Sequence, residues 1–182
     1  SLIYNQYWKN MTTEIELKYL VLSDNVATKI TQMFNREKIQ FTYQEKQLAN
    51  CYFDTTDLNL RKHDMGLRVR RCNNHIEQTI KTAGQVVGGL HSRPEYNVDT
   101  DFIRCTWLLT DVRGNVIELA YDQGEVASAE QKSAIDEIEL ELVKGNKTAL
   151  FNLASLLFDE LALRPGLKSK AARGYALSRA EP

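Results

Sequence analysis

The sequence predicts an α+β fold, in which antiparallel strands form one sheet and helices occur near both ends of the chain. The segments Thr12–Val21 and Ile135–Val143 alternate between apolar and charged residues, which is typical of strands with one buried face. Two other segments, 23–40 and 147–161, carry apolar residues at helical spacing. Consecutive strands between these two helices indicate α+β rather than an alternating α/β order.

The other elements follow from alternation and turn residues. Asn73-Asn74 and Arg113-Gly114 mark the turns of two predicted hairpins. Only Asp99–Asp101 separates two predicted strands, without a Gly or Asn for a tight turn, so we expect an unusual connection or a loop that is missing here. The predicted elements are a strand at Thr12–Val21, a helix capped by Ser23 and ending near Gln40, a strand at Gln44–Asp54, a short link at Asp57–Met65, strands at Gly66–Cys72, His75–Thr82, Ser92–Val98, Phe102–Thr110, Asn115–Asp122 and Ile135–Val143, a helix at about Lys147–Leu161, and a basic, partly helical segment at Gly166–Ser178.

The chain is predicted to form a single domain over residues 12–182, preceded by an N-terminal extension at 1–11. Its 182 residues carry a formal net charge of −1, so it lacks the basic field of general nucleic-acid-binding proteins. No apolar stretch approaches the roughly 20 residues of a membrane span, and no signal peptide is visible. Cys51, Cys72 and Cys105 are too dispersed for a zinc site or a disulfide framework and suit a reducing cytoplasm.

Charged residues follow one another in rows along the predicted strands. Side chains two positions apart on a strand lie on the same face, roughly 7 Å apart. Two carboxylates at that spacing repel by roughly 2 kcal/mol at an effective dielectric constant near 20, so an acidic row requires a cation. The acidic rows are Glu14 with Glu16, extended by Lys18, then Glu118 with Asp122, and Glu137 with Glu139 and Glu141; the other rows are Arg68 with Arg70, Thr79 with Lys81, and Arg93 with Glu95.

Together these rows predict a metal-assisted site for a compact polyanion. Oxygen ligands without histidine or cysteine favour Mg²⁺ or Mn²⁺ over zinc or copper. A similar number of arginines and lysines requires an anion of high charge, and a triphosphate with its metal satisfies both groups. The alternative interpretation is a solvated sheet face, but such a face gains more from mixing opposite charges on neighbouring strands.

An ordered set of motifs resembles the CYTH superfamily, also called triphosphate tunnel metalloenzymes. The first is EIELK at 14–18, which matches the ExExK signature that opens these domains. ExExK alone is a weak signal, but the ordered set covers nearly the whole chain, from Thr13 to about Ser178. Segments such as GLHSRPEYNV and SKAARGY are most similar to bacterial inorganic triphosphatases. The other motifs are YFDT at 52–55, GLRVR at 66–70, TIK at 79–81, RPEY at 93–96, EIELE at 137–141 and KSKAARGY at 168–175.

The resemblance implies a closed antiparallel β-barrel with flanking helices, whose bore is the triphosphate tunnel. It implies a cytoplasmic, Mg²⁺- or Mn²⁺-dependent hydrolase that splits inorganic triphosphate into pyrophosphate and phosphate. Catalysis is expected to depend on charge stabilisation by Lys18, Arg68, Arg70 and Lys81, and no residue is assigned as a general base. The implied metal ligands are Glu14, Glu16, Asp122, Glu137, Glu139 and Glu141, and the implied substrate-binding residues are Lys18, Arg68, Arg70, Lys81, Arg93, Arg104, Lys170 and Arg173.

Three alternatives stay open for the same site. A class IV adenylate cyclase shares ExExK and the barrel, but it requires an adenine pocket that no motif identifies. A thiamine triphosphatase requires contacts to an aromatic cation, whereas Tyr43, Tyr96 and Trp107 are better explained as core residues. A polyphosphate- or nucleotide-binding module without turnover would not need so many glutamates. The expected partner is a small-molecule triphosphate, with neither nucleic acid nor membrane, and an isologous homodimer is the default assembly.

Overall fold

The computed structural model describes residues 15–63, 65–73, 75–81, 98–128 and 131–178. These residues form eight strands and four helices, which confirms the predicted α+β class. The strands are β1 (Glu16–Val21), β2 (Phe41–Phe53), β3 (Gly66–Cys72), β4 (His75–Lys81), β5 (Val98–Thr110), β6 (Val116–Ser128), β7 (Gln131–Lys144) and β8 (Leu163–Pro165). The helices are α1 (Val26–Arg36), α2 (Asn59–Lys62), α3 (Thr148–Glu160) and α4 (Lys170–Ser178). Of these four helices, none has both the length and the apolar character needed to cross a membrane.

All eight strands belong to one antiparallel sheet in the order β4-β3-β2-β5-β6-β7-β1-β8. The long strands β2, β5, β6 and β7 form its centre. Among the described residues, β4 and β8 stay at the two edges, and no hydrogen-bonded ladder joins them. The antiparallel sheet is therefore observed, whereas closure of the predicted barrel by hydrogen bonds is not.

The main hydrophobic core lies between one face of this sheet and the helices α1 and α3. Trp107, Leu119 and Ile138 project from the central strands and are completely buried there. From the apolar stripe of α1, Ile30 and Phe34 pack into the same cluster. Because burying each such side chain contributes roughly 1.5–3 kcal/mol, this face holds the strands together. The opposite face is left for the charged rows.

Helix α4 lies against that opposite face, at one end of the charged rows. Its Tyr175 belongs to a second, smaller core that includes Leu48 of β2 and Phe102 of β5. Phe102 and Arg104 are two positions apart on β5 and therefore point to the same side of the sheet. The apolar contacts of α4 thus place this helix beside the charged residues.

Three local predictions were wrong. No connection exists at 99–101, because β5 continues without interruption from Val98 to Thr110. Ser23 does not cap α1; Asn25 is the N-cap residue, and the Ser23 hydroxyl instead accepts a hydrogen bond from the Ala162 amide. Helix α1 ends at Arg36 rather than near Gln40, because Lys38 adopts a left-handed conformation with φ of 56°, which cannot continue a right-handed helix.

Other differences concern the extent of elements. Strand β6 runs six residues beyond its predicted end at Asp122, and the short strand β8 was not predicted. The strand predicted at Ser92–Val98 lies outside the described residues, apart from Val98, which belongs to β5. The two predicted hairpins are present, and Gly114 adopts the positive φ that the second turn requires.

The helices do not cover the outer face of the sheet uniformly. The apolar residues opposite the charged row of β4 do not pack on a helix. Ile76 and Ile80 remain 68% and 50% exposed, because both long helices pack on the other half of the sheet. The described charged rows of β1, β3, β6 and β7 nevertheless share one face.

Candidate active site

An acidic cluster lies on the charged face of β6 and β7. Asp122 of β6 directly opposes Glu137 of β7, and Glu139 follows two positions later on the same face. Asp122 and Glu137 are completely buried. One carboxylate oxygen from each of the three residues lies within 4.8 Å of the others, so these side chains are close enough to share a cation.

The cations nearest to this cluster come from the protein itself. Lys170 Nζ lies 2.6 Å from Asp122 Oδ2 and also contacts Glu137 and Glu139. Lys18 Nζ lies 3.0 Å from an oxygen of Glu137 and 3.0 Å from one of Glu139. Three carboxylates therefore face two ammonium groups, and a third cation completes the balance.

That third cation is Arg104, which forms a bidentate contact with Asp122. Its Nε and Nη2 donate hydrogen bonds of 2.6 Å to the two carboxylate oxygens of Asp122. Nη2 also donates to Glu139 Oε2 at 2.7 Å. Planar fork geometry of this kind is the strongest form of arginine–carboxylate pairing.

The electrostatics favour the charged forms of Glu139 and Lys170. Burial raises the pKa of the Glu139 carboxyl, but the charges of Lys170, Arg104 and Lys18 outweigh burial and hold its pKa well below the usual range. Burial lowers the pKa of the Lys170 ammonium, and the carboxylates of Glu139, Asp122 and Glu137 reverse this effect and raise it. The acidic cluster is thus already neutralised within the folded chain.

A second acidic group, formed by Glu16, Glu118 and Glu141, lies further along the same strands. Glu16 of β1 opposes Glu141 of β7, which in turn opposes Glu118 of β6. Directly opposed side chains on antiparallel strands have Cβ atoms about 4.5–5.5 Å apart. Within the described parts of the chain, neither Glu16 nor Glu118 forms an ion pair with a lysine or arginine. Their oxygen donors are the type that a divalent ion prefers, and Glu16 and Glu118 are not already neutralised by a described lysine or arginine. Among the described residues, carboxylate oxygens within 4.8 Å of one another are found in the cluster of Asp122, Glu137 and Glu139.

The basic side of this face, formed by Arg68 and Arg70 of β3, differs from the acidic cluster because Arg70 is held by neutral partners. Its Nε donates a 2.7 Å hydrogen bond to Asn50 Oδ1, and Asn50 Nδ2 donates a 2.8 Å bond to Thr100 Oγ1. Asn50 and Thr100 are almost completely buried. Burial, followed by the charges of Arg68 and Arg104, lowers the pKa of Arg70. Since an arginine stays protonated in proteins, its charge remains without a close carboxylate among the described residues.

Arg68, on the same strand, is only weakly paired. Its Nη2 donates to Thr79 Oγ1 at 3.0 Å and lies 3.6 Å from the exposed carboxylate of Glu77. Its Nε is buried and has no hydrogen-bond partner within the described part of the chain. A buried donor without a partner is costly, and an anion in front of Arg68 and Arg70 would satisfy it.

One cavity of about 760 Å³ connects the two sides. Ligand sites for small molecules typically have volumes of roughly 300–1,000 Å³. Residues of α4, including Lys170, form part of its wall. The charged residues that line it are Glu16, Lys18, Arg61, Arg68, Arg70, Glu77, Arg104, Glu118, Glu139, Glu141 and Lys170.

Other residues named from the sequence have different positions. Arg173 attaches α4 to β7 through Glu137 at 3.4 Å and through Ser133, so its role in substrate binding stays a prediction. Glu14 and Arg93 lie outside the described residues. For Lys81 only the backbone is described, paired with Gly66 across the β3–β4 ladder.

Arg61 lines the cavity but was missed by the sequence analysis. It belongs to α2, in a segment predicted as a short irregular or helical link, where no alternation assigns a residue to either face. A lone arginine in such a segment carries no pattern that distinguishes a buried cation from a surface one.

Comparisons with known proteins agree with the motifs. A family model described as the CYTH domain matches residues 12–111. An inorganic triphosphatase of Haemophilus influenzae is 35% identical over 198 residues, which include 92% of this chain and 55% of that protein. The chain therefore spans about half the length of this curated relative. Because the aligned region is longer than the 182 residues of the chain, the relative contains residues within it that have no counterpart here.

A solved structure from Hippeastrum, of an adenylyl cyclase candidate described as having a dominant triphosphatase activity, has a similar fold. The similarity has a TM-score of 0.54 and 15% sequence identity, and it covers 90% of this chain and 96% of that one. At this level of identity the similarity shows the fold alone.

Proposed function

The chain belongs to the CYTH family, and from this membership and the chemistry of its cavity we propose that it is a metal-dependent hydrolase of inorganic triphosphate. The reaction adds water to a terminal phosphoanhydride bond and yields pyrophosphate and phosphate. The Haemophilus influenzae relative named inorganic triphosphatase supports this choice of substrate.

One observation carries the proposal. Within the part of the chain that the structure describes, a single cavity contains arginines with few or no carboxylate partners, Arg68 and Arg70, and carboxylates without arginine or lysine partners, Glu16 and Glu118. A protein that only bound an anion would need the first group, and one that only bound a metal would need the second. A metal–triphosphate complex satisfies both at once.

We propose that Mg²⁺ or Mn²⁺ is held by the second acidic group, with Glu16, Glu118 and Glu141 as ligands. A divalent ion bound there would neutralise charge on phosphate oxygens and thereby favour attack of water on the phosphorus atom. Glu14 precedes Glu16 by two positions and is a further candidate ligand by the ExExK pattern. The cluster of Asp122, Glu137 and Glu139 is assigned a different task, which is to hold Lys18, Lys170 and Arg104 in place.

The protein's own groups then act by positioning and by charge stabilisation. Arg70, whose Nε is fixed by Asn50, has its two terminal nitrogens available for phosphate oxygens. Arg68 offers a buried Nε without a partner in the described chain. Lys18 and Lys170 contact the acidic cluster and also line the cavity. Phosphoryl transfer depends mainly on such positioning, so no covalent intermediate is required. A closed tunnel, a cytoplasmic location and a homodimer remain parts of this proposal that await a test.

The test is phosphate release in the presence of Mg²⁺ or Mn²⁺ from tripolyphosphate, ATP and thiamine triphosphate side by side. We expect rapid release from tripolyphosphate, slow release from the other two, and no release after chelation of the metal. Cyclic AMP and pyrophosphate formed from ATP would identify a cyclase instead. Binding of tripolyphosphate without any release would identify a non-catalytic module.

A further inference from the structure

Arg61 lies in the one-turn helix α2, whose position is fixed by a buried carboxylate. Asp54 is 5% exposed, and its Oδ1 accepts hydrogen bonds from the amides of Thr55 at 2.7 Å and Leu60 at 2.9 Å. Its Oδ2 accepts a 3.0 Å bond from the Arg61 amide. The backbone that carries Arg61 is therefore held at the end of β2 before any ligand binds.

The side chain of Arg61 is also constrained, yet one of its donors is unused. The guanidinium carbon lies 5.1 Å from the centre of the Tyr175 ring on α4, which is a cation–π distance. Its Nη1 is buried and has no hydrogen-bond partner within the described chain. Since Arg61 lines the same cavity as Arg68 and Arg70, an anionic oxygen in that cavity is the natural acceptor for Nη1.

The number of cations that remain for a ligand also favours a role for Arg61 in binding. Lys18, Lys170 and Arg104 are matched by Asp122, Glu137 and Glu139, so they supply little net positive charge to a ligand. A linear triphosphate carries roughly four to five negative charges near neutral pH, since each terminal phosphate contributes about 1.5 to 2. The divalent ion is itself matched by the carboxylates of Glu16, Glu118 and Glu141, so it offsets little of this charge. Arg68 and Arg70 alone supply two positive charges, and Arg61 supplies a third.

We propose that Arg61 is a substrate-binding residue, in which Nη1 donates a hydrogen bond to a phosphate oxygen of the chain while Tyr175 holds the guanidinium in place. This inference rests on the proposed function and names a contact that the motifs do not include. Arg61 thereby links α2, Tyr175 of α4 and the substrate. Its ligand class is a linear inorganic phosphate chain of at least three phosphates, since a pyrophosphate has one phosphate and about one negative charge fewer to set against three arginines.

The experiment compares Arg61→Met with Lys62→Met. Lys62 is the next residue of the same helix, carries the same charge and is exposed. Comparing the two variants therefore distinguishes the loss of a direct contact with the ligand from the loss of one positive charge. The dissociation constants of tripolyphosphate and pyrophosphate are measured by calorimetry without added metal, and KM and kcat for tripolyphosphate are measured with Mg²⁺. We expect Arg61→Met to weaken tripolyphosphate binding roughly 10- to 100-fold, the range for hydrogen bonds to charged groups, and pyrophosphate binding much less. Lys62→Met should change both by less than about twofold.

Arg61→Lys keeps the positive charge but lacks the planar guanidinium. It serves as a second variant in case Arg61→Met does not fold. An intermediate loss with an unchanged melting temperature supports a direct contact. Equal losses in Arg61→Met and Lys62→Met, or wild-type binding by Arg61→Met, would overturn the role of Arg61 while leaving the proposed function intact. A wild-type protein that neither binds nor hydrolyses tripolyphosphate would overturn both.

Discussion

The two sides of the cavity bury charge in different ways. On β6 and β7, the carboxylates of Asp122, Glu137 and Glu139 are surrounded by ammonium and guanidinium groups from β1, β5 and α4. On β3, Arg70 is supported by the neutral amide of Asn50, and Arg68 has only one distant, exposed carboxylate. The buried charges of the first side are therefore paired within the described chain without a ligand, whereas the arginine charges of the second side lack a close carboxylate there.

This difference separates stability from function. Removing one member of a buried, neutralised cluster leaves the others uncompensated, which destabilises the folded state. Removing a half-buried arginine that has no close counterion among the described residues relieves a desolvation cost, and it takes away ligand binding and the hydrogen bonds of that arginine to neutral partners. We therefore expect substitutions on the acidic side to affect folding, and those on the basic side to affect turnover with a smaller loss of stability.

The largest effect is expected for Lys170→Met. Lys170 is 6% exposed and contacts all three carboxylates of the acidic cluster. Its removal leaves them with Lys18, Arg104 and the more distant Arg173, and no one of these three contacts all of the carboxylates. Breaking a buried ion pair in this way typically costs about 3–5 kcal/mol. The free energy of unfolding in urea measures the loss. Lys168→Met, at an exposed position just before α4, is the control and should remain near wild type. A Lys170→Met protein as stable as the control would mean that α4 does not neutralise the cluster.

Arg70→Met is expected to have the opposite profile. Loss of one preorganised donor to developing phosphate charge typically reduces the rate about 100- to 1,000-fold. The free energy of unfolding should fall less than in Lys170→Met. The buried Asn50 Oδ1 loses its donor, which costs about 1–3 kcal/mol, but the desolvation cost of the arginine disappears and offsets part of this loss. Steady-state hydrolysis of tripolyphosphate and urea unfolding measure the two quantities on the same preparations.

The control for Arg70 is its neighbour on β3. Arg71→Met removes the same charge from the outer, exposed face of the sheet, where the side chain does not line the active-site cavity. It should keep nearly full activity. A loss of stability in Arg70→Met comparable to that of Lys170→Met would contradict the division between the two sides.

The faces on which the main charged residues lie could be predicted from the sequence. Alternation along β3 and β7 correctly placed Arg68 with Arg70, and Glu137 with Glu139, on one face of an antiparallel sheet. Period-two spacing fixes the face of a side chain regardless of the rest of the fold. The motifs likewise identified the family, which the family model confirms.

The partners of these residues could not be predicted, because they come from distant segments. Nothing in the local pattern of β7 indicates that Lys170, about 30 positions later, neutralises Glu139. The wrong prediction of a connection at 99–101 also arose because a partner from another strand could not be foreseen. Asp-Thr-Asp has the composition of a loop, but Thr100 is buried in β5, where it accepts a hydrogen bond from Asn50. Polar residues that serve a site inside a strand resemble a turn when only local composition is considered.

A third prediction concerns the metal. Glu16→Gln removes one ligand charge from the second acidic group, so the Mg²⁺ concentration for half-maximal activity should rise at least about tenfold. Stability should change little, because Glu16 is exposed and has no ion pair in the described chain. Titration of activity with Mg²⁺ measures the shift. Glu125→Gln, on the same sheet but outside the cavity, should leave the titration unchanged. An unchanged Mg²⁺ requirement in Glu16→Gln would remove Glu16 from the metal site.

The smallest effect tests whether neutral partners orient Arg70. Thr100→Val keeps the shape of the side chain but removes the oxygen that accepts the hydrogen bond of Asn50 Nδ2. The Asn50 amide then loses the partner that fixes its orientation, and its Oδ1 no longer faces Arg70 reliably. Because one hydrogen bond is worth about 0.5–1.5 kcal/mol net, KM for tripolyphosphate should rise about two- to tenfold while kcat changes less. Thr110→Val, at the exposed end of the same strand, should change neither constant. A fall in kcat without a change in KM would show that Asn50 supports the fold of β5 rather than the direction of the arginine.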